Sequence, residues 1–194
     1  MSIALNIIRD EHRSIAAILH GMQYLVRHAR ERGTKIDPRV FRAMLYYLDT
    51  FTERMHHPKE DEFLFDPLRR RGAGSDALIA DLEREHAEGG NALRRVEQCL
   101  IRYEEGGEKE FPEFSREIER FIEGYWEHMR KEEERVFPLA EKLFTAADWE
   151  AIDSAFKAHA DPLANERSEK DFRKLFSRIV GLAPPPIGVG PVSS

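Results

Sequence analysis

The sequence has little of what cross-links or anchors proteins. Cys99 is the one cysteine among 194 residues, which excludes an intrachain disulfide and any cysteine-based zinc or iron–sulfur cluster within one subunit. A run of about 18 apolar residues is missing, and the N-terminus has neither a basic segment nor a long apolar one. We therefore expect a soluble, cytoplasmic protein with no membrane partner.

A surplus of positive charge is missing too. The 30 basic and 36 acidic residues leave a net charge of -6, and the two signs are interspersed along most of the chain. The basic run Arg69-Arg70-Arg71 stands just before Gly72, where cations favour the exposed carbonyls of a helix end. This charge pattern predicts no nucleic-acid partner.

Four long segments have apolar residues at spacings of three and four, the periodicity of an amphipathic helix. The predicted spans are Ile3 to Arg30, Pro38 to Arg70, the stretch from Ser75 to Gly106, and Pro112 to Phe144. Asp37 before Pro38 is a typical helix start, and Ser75 is a good N-cap. The pattern predicts an all-α fold, an up-down-up-down four-helix bundle over residues 1–145.

The C-terminal part carries different signals. Thr145-Ala-Ala-Asp148 and Ser168-Glu-Lys-Asp171 each resemble a capping box with Asp in place of Glu. They predict two short helices within residues 146–182, packed across the bundle. Residues 183–194 are rich in proline and glycine, so we expect them to form a flexible, disordered tail.

The second and fourth predicted helices repeat one motif. The strings HHPKEDEFLF, from His56, and HMRKEEERVF, from His128, both give His-x-x-x-Glu with a phenylalanine nine residues after the histidine. Positions i and i+4 share one helix face, so an imidazole and a carboxylate can converge there. Such a set suits a pair of metal ions. Carboxylates can bridge the two ions, and imidazoles can serve as the terminal ligands of each ion.

The other two helices each add a histidine inside an apolar series, His12 between Ile8 and Ile15 and His86 after Leu82. On the second helix, taken at about 100° per residue, His56 falls at the edge of the apolar arc and His57 nearly opposite. We favour His56 as the ligand, although Pro58 could rotate the local register.

A single histidine on an apolar face is most often a core or rim residue satisfied by hydrogen bonds. Four imidazoles and two carboxylates in one dry core would each be costly to bury unpaired. The set therefore predicts a metal site whose ligands are His12, His56, Glu60, His86, His128 and Glu132.

These motifs resemble those of the hemerythrin HHE cation-binding domain, over roughly residues 1–145. The resemblance implies a non-haem di-iron centre, two Fe ions with the four histidines as terminal ligands and Glu60 and Glu132 as bridges. Two departures stand out: Gly90 replaces the second histidine of the third helix, and the fourth helix has His-x-x-x-Glu instead of His-x-x-x-x-Asp. A four-histidine centre is more open than that of the oxygen carriers.

The resemblance implies binding of O2, NO or peroxide, or sensing and handling of iron in a stress response; turnover and a protein partner are left open. Glu53-x-x-His56 and Glu83-x-x-His86 raise a ferritin- or rubrerythrin-like oxidase or peroxidase as the alternative. A metal-free helical adaptor is least favoured. Around the ligands, His57 and His159 could orient an imidazole, with Asp61 at i+4 from His57, and Tyr125 could line the pocket.

Overall fold

The computed structural model describes residues 2–72, 74–160, 174–175, 177–183 and 185–189. Within these ranges the chain is helical and contains no strand, which confirms the all-α prediction. The first helix is Ile3–Arg32, the second runs from Pro38 to Arg70, the third is Asp76–Gly106, the fourth runs from Phe111 to Leu143, and the fifth is Ala146–Ala160. None of the described helices is long and apolar enough to cross a membrane.

Short connections join the four long helices. Gly33 ends the first helix in the left-handed conformation, and the Asp37 side chain accepts a hydrogen bond from the Arg39 amide at the start of the second. Ser75 does not cap the third helix with its side chain, because its hydroxyl donates to the carbonyl of Gly72. Each long helix contacts the next along the chain and the first contacts the fourth, the contact order expected of an up-down-up-down bundle.

Two of these helices widen locally into π-helix. The second consists of Pro38–Tyr47, π-helical Leu48–His56, His57–Glu60, π-helical Asp61–Phe65 and Asp66–Arg70. The fourth consists of Phe111–Lys131, π-helical Glu132–Val136 and Phe137–Leu143.

Each π-helical segment ends two residues before a proline, namely Pro58, Pro67 or Pro138. A proline ring would collide with the carbonyl four residues earlier in an α-helix, and a wider turn relieves that collision. The wider turns also change which side chains face the interior.

The interior has two apolar clusters with a polar layer between them. One cluster includes Leu19, Leu45 and Phe114, and the other includes Leu5, Phe65 and Phe137. Along their helices the six predicted ligands lie at or next to the boundary between the two clusters. Apolar packing thus supports the polar layer from both sides.

The fifth helix packs across the end of the bundle. Its Ile152 and Phe156 join the second apolar cluster, and Asp153 accepts hydrogen bonds from the Ala4 amide at 2.8 Å and from the Ser2 hydroxyl at 2.7 Å. The predicted capping box is present, because Thr145 N donates to Asp148 and Asp148 N donates to the Thr145 hydroxyl.

The start predicted for a second short helix, at Ser168, lies outside the described residues. In the predicted tail Ala183 is buried and Ile187 packs on the first apolar cluster. The division into residues 1–145, 146–182 and 183–194 stays a prediction, as does the mobility of the tail.

Candidate metal centre

Six buried side chains from the four long helices meet in the polar layer. Their exposed fractions are 3% for His12, 1% for His56, 0% for Glu60, 8% for His86, 5% for His128 and 0% for Glu132. The apolar residues around them in each helix turn these positions inward. The structure therefore brings together all six residues that the sequence nominated.

One half of the layer is formed by His12 and His56 with the two glutamates. His12 Nε2 lies 3.2 Å from Glu132 Oε2 and 3.8 Å from Glu60 Oε1. His56 Nε2 lies 3.4 Å from Glu60 Oε2. One ligand atom each from His12, His56 and Glu60 falls within 4.8 Å of the others, close enough to hold one ion.

The other half is formed by His86 and His128. Their Nε2 atoms are 3.0 Å apart, about the separation of two imidazole nitrogens that lie at right angles around one ion at about 2.1 Å. Glu132 Oε1 lies 3.3 Å from His128 Nε2 and 3.8 Å from His86 Nε2, and Glu60 Oε2 lies 3.8 Å from His86 Nε2. Both glutamates thus stand between the two halves and contact histidines of each.

Every one of these four histidines is backed by a carboxylate at its other ring nitrogen. The Nδ1 contacts are His12 with Glu133 at 2.8 Å, His56 with Glu11 at 2.8 Å, His86 with Asp61 at 2.8 Å and His128 with Glu85 at 2.9 Å. A carboxylate at Nδ1 fixes the tautomer that leaves Nε2 free to bind a metal. The prediction that Asp61 pairs with His57 is wrong, since Asp61 contacts His86.

The protonation of the layer reflects its opposed charges. Burial opposes the charged form of His12, but contacts with Glu132 and Glu133 outweigh it and raise the pKa of His12 to about 10. The pKa of His128 rises to about 10 and that of His86 to about 9 against the same burial, through neighbouring carboxylates. Burial lowers the pKa of His56 to about 4.

The pKa values of the two glutamates shift in opposite directions. Burial and the negative charge of Glu132 raise the pKa of Glu60 well above its ordinary value. Burial also opposes ionisation of Glu132, yet the charge of His128 and the contact with His12 hold its pKa well below the ordinary range. Two carboxylates this close favour a shared cation, which would compensate both charges at once.

Whether these residues fit a metal ion can be judged from their hydrogen bonds. In the part of the chain that the structure describes, both carboxylate oxygens of Glu60 and of Glu132, and Nε2 of His12, are buried without a hydrogen-bond partner. Buried polar atoms normally have partners, and carboxylate oxygens without them carry a large desolvation penalty. A set of imidazole nitrogens and carboxylate oxygens pointing at one another suits divalent cations, so these residues fit a metal centre.

Sequence reasoning placed His57 on the wrong face. Its side chain is 6% exposed and its ring stacks on that of His86 at 4.0 Å between centroids. The π-helical turn that precedes it adds residues to the turn, so a wheel of about 100° per residue misplaces it. Burial lowers the pKa of His57 well below its ordinary value.

Beside His57 lie two further polar groups. Glu53 Oε2 is 3.6 Å from His57 Nδ1, and the Tyr125 hydroxyl donates to Glu53 Oε1 at 2.5 Å. Burial raises the pKa of Glu53 and that of Tyr125. Tyr125 thus lines the site and is buried as well.

The other candidates lie elsewhere. Glu83 pairs with Arg69 at 2.5 Å and belongs to none of the metal-capable groups among the described residues, so Glu83-x-x-His86 supplies no inner carboxylate. The His20 ring packs at a tilt against Trp126, and His28 stacks on Tyr24. The side chain of His159 lies outside the described part.

A cavity of about 290 Å³ adjoins the second half of the layer. His57, Tyr125 and His128 line its inner part, and charged residues such as Glu88, Arg95, Glu117 and Arg120 line its outer part. Gly89 and Gly124 also line the cavity, and neither adds a side chain to its wall. The cavity gives a small molecule a way to His128.

A helical bundle with an interior layer of imidazoles and carboxylates defines a class of metal-binding helical proteins. The family model of the hemerythrin HHE cation binding domain matches residues 3–140, and the chain belongs to that family. The resemblance inferred from the ligand motifs is thereby confirmed. Neither the comparison with curated proteins nor that with solved structures gave a match.

Proposed function

We propose that the chain is a non-haem di-iron protein that binds O2, NO or peroxide, or senses or handles iron in a stress response. In this proposal His12, His56, His86 and His128 are terminal ligands, and Glu60 and Glu132 bridge two irons. Membership of a cation-binding family supports the metal, and iron is the usual cation of the hemerythrin type. A cytoplasmic setting is part of the proposal.

One observation carries the proposal. Within the described part of the chain, the four buried carboxylate oxygens of Glu60 and Glu132 have no hydrogen-bond partner. They face imidazoles whose other nitrogens already contact a second ring of carboxylates. Histidines buried only for packing would not need a carboxylate at every Nδ1. The second ring also supplies negative charge that offsets two divalent ions.

Iron in this layer would supply positions for a small ligand and exchange electrons with it. The chain's residues do the rest: the carboxylates at Nδ1 orient the imidazoles, and the two apolar clusters keep bulk water from the layer. Lys59 pairs with Glu11, and Lys131 pairs with Glu85, which anchors two of the orienting carboxylates. The cavity beside His128 admits molecules of the size of O2, NO or peroxide.

The second candidate is a ferritin- or rubrerythrin-like oxidase or peroxidase. Glu53, which starts one Glu-x-x-His motif, does lie beside the layer, where it contacts His57 and Tyr125. That class relies on carboxylate-rich ligation, whereas here each long helix contributes a histidine to the layer. Absorption and Mössbauer spectra of iron-loaded protein separate a histidine-rich centre from a carboxylate-rich one.

The decisive experiment is anaerobic reconstitution with Fe(II) followed by measurement of bound iron. We expect about two irons per chain, and we expect His56→Ala and His128→Ala each to reduce the bound iron. His20→Ala and His28→Ala are matched controls, because these histidines contact aromatic rings outside the layer. A wild-type chain that binds no iron, or ligand variants that bind as much as the controls, would contradict the proposal and favour a metal-free adaptor.

A further inference from the structure

The two halves of the polar layer repeat the same contacts. His56 Nδ1 contacts Glu11, which also pairs with Lys59, whereas His128 Nδ1 contacts Glu85, which also pairs with Lys131. The residue before His12 therefore serves His56, just as the residue before His86 serves His128.

The repeat extends to the residue after each bridging glutamate. Asp61, which follows Glu60, contacts His86, and Glu133, which follows Glu132, contacts His12. Each half thus uses the same sequence positions for the same task.

The repeat breaks at one place. His57 follows His56, whereas Met129 follows His128 and packs in the first apolar cluster. Three residues after the histidine, the first helix has the buried Ile15 and the third has Gly89. One half is therefore closed by apolar side chains, and the other has an extra imidazole and an open wall.

His57 lies close enough to the second half of the layer to reach the ion site there. Its ring is stacked on that of His86, with 4.0 Å between centroids, so one of the two rings must turn for both to bind one ion. One ring nitrogen from each of His57, His86 and His128 lies within 4.8 Å of the others, which forms a metal-capable group without any carboxylate. The His57 and His128 ring centroids are 5.3 Å apart. Among the described residues His57 Nδ1 has no hydrogen-bond partner, and it faces Glu53 Oε2 at 3.6 Å, just beyond hydrogen-bond distance.

Gly89 makes room for this arrangement. A Cβ at residue 89 would collide with the carboxylate of Glu53, whereas a Cβ at residue 90 would meet only Arg94 Nη1 at 3.8 Å, an ordinary contact. Glu53 is held in place by the Tyr125 hydroxyl. The side chain missing at residue 89 thus lets Glu53 stand behind His57.

We propose that His57 is a fifth imidazole ligand, the third on the ion held by His86 and His128, with Glu53 and Tyr125 as its positioning residues. This inference rests on the proposed di-iron function. The oxygen carriers have their additional histidine on the third helix, where this sequence has Gly90. In this chain the additional imidazole would come from the second helix. The two ion sites are then unequal, with three imidazoles on one and two on the other.

The test uses the full chain loaded with ⁵⁷Fe(II), measured by chelator competition and Mössbauer spectroscopy. His57→Ala should lower the affinity for one of the two irons by at least about 10-fold, because loss of an orienting partner alone costs about 10–100-fold in metal affinity. The Mössbauer signal of that iron should change while the other stays. Added imidazole should restore affinity and signal through the adjoining cavity, and a structural role for His57 would not respond to imidazole.

A second variant keeps His57 and displaces Glu53, the residue proposed to position it. Gly89→Ala should displace Glu53 and shift the signal of the same iron, whereas the matched control Gly90→Ala should match the wild type. Two irons bound with wild-type affinity and spectra in His57→Ala would overturn the inference and leave the di-iron function standing. A wild-type chain that binds no iron would overturn both.

Discussion

Glu60 should destabilise the bundle until a cation binds it. Its carboxyl group is buried, and neither oxygen has a hydrogen-bond partner among the residues that the structure describes. Its pKa is raised well above the ordinary value by burial and by Glu132. A raised carboxyl pKa means that ionisation costs folding free energy once the pH exceeds the unfolded-state pKa, so at neutral pH Glu60 opposes folding.

Glu60→Met replaces the carboxylate with an apolar side chain of similar length. In chelator-treated protein we expect the free energy of unfolding to rise by about 1–3 kcal/mol, the penalty of an unsatisfied buried polar group. The wild type should gain about 2.7 kcal/mol per site when free Fe(II) is 100 times the dissociation constant, and the variant should lose most of that gain. The effect of Glu60→Met on the free energy of unfolding therefore changes sign when iron is added.

Urea unfolding followed by circular dichroism, with chelator and with Fe(II), measures both effects. Glu62→Met is the matched control, because Glu62 is exposed on the same helix and its substitution should change stability by less than about 0.5 kcal/mol in either condition. If Glu60→Met destabilises the chelator-treated protein by 1 kcal/mol or more and keeps the full iron-dependent gain, the reasoning is refuted.

Three other substitutions test separate parts of the structure. Glu11→Gln should weaken iron binding by about 10–100-fold in chelator competition, because His56 loses its orienting carboxylate; unchanged affinity would show that Glu11 has no such role. Gly124→Leu should slow azide binding to iron-loaded protein in stopped-flow absorbance without changing iron content, because it narrows the cavity; an unchanged rate would mean another route. Asp153→Ala should lower the free energy of unfolding by about 1 kcal/mol in urea titration, because the first helix loses acceptors at its N-terminus; an effect near zero would contradict that capping role.

The helices, and the six residues that meet in the polar layer, could be predicted from the sequence because both depend on local periodicity. A histidine among apolar neighbours, such as His12 or His86, can hardly face anywhere but the core. The position of His57 could not be predicted in the same way, since it depends on a π-helical turn whose length the proline alone does not fix.

The outer carboxylates had a signal in the sequence that periodicity does not reveal. The dipeptide Glu-His occurs three times, and in the third, at residues 127–128, Glu127 pairs with Arg130. In the other two Glu11 precedes His12 and Glu85 precedes His86, and an acidic residue follows both Glu60 and Glu132. Each of these carboxylates contacts a histidine on another helix, so only the assembled bundle shows which pair meets. The paired dipeptides would have predicted a second ring but not its partners.

The polar layer also divides the hydrophobic interior into two separate parts. Apolar packing stabilises each end of the bundle on its own, whereas the layer contributes charged groups that apolar contacts cannot join. We therefore expect the ends to unfold with weak coupling in chelator-treated protein and as one cooperative unit once ions tie the four helices together. Metal binding would then couple the folding of the two ends of the bundle in addition to its chemical role. Hydrogen exchange measured separately at the two ends would report whether they open together or independently.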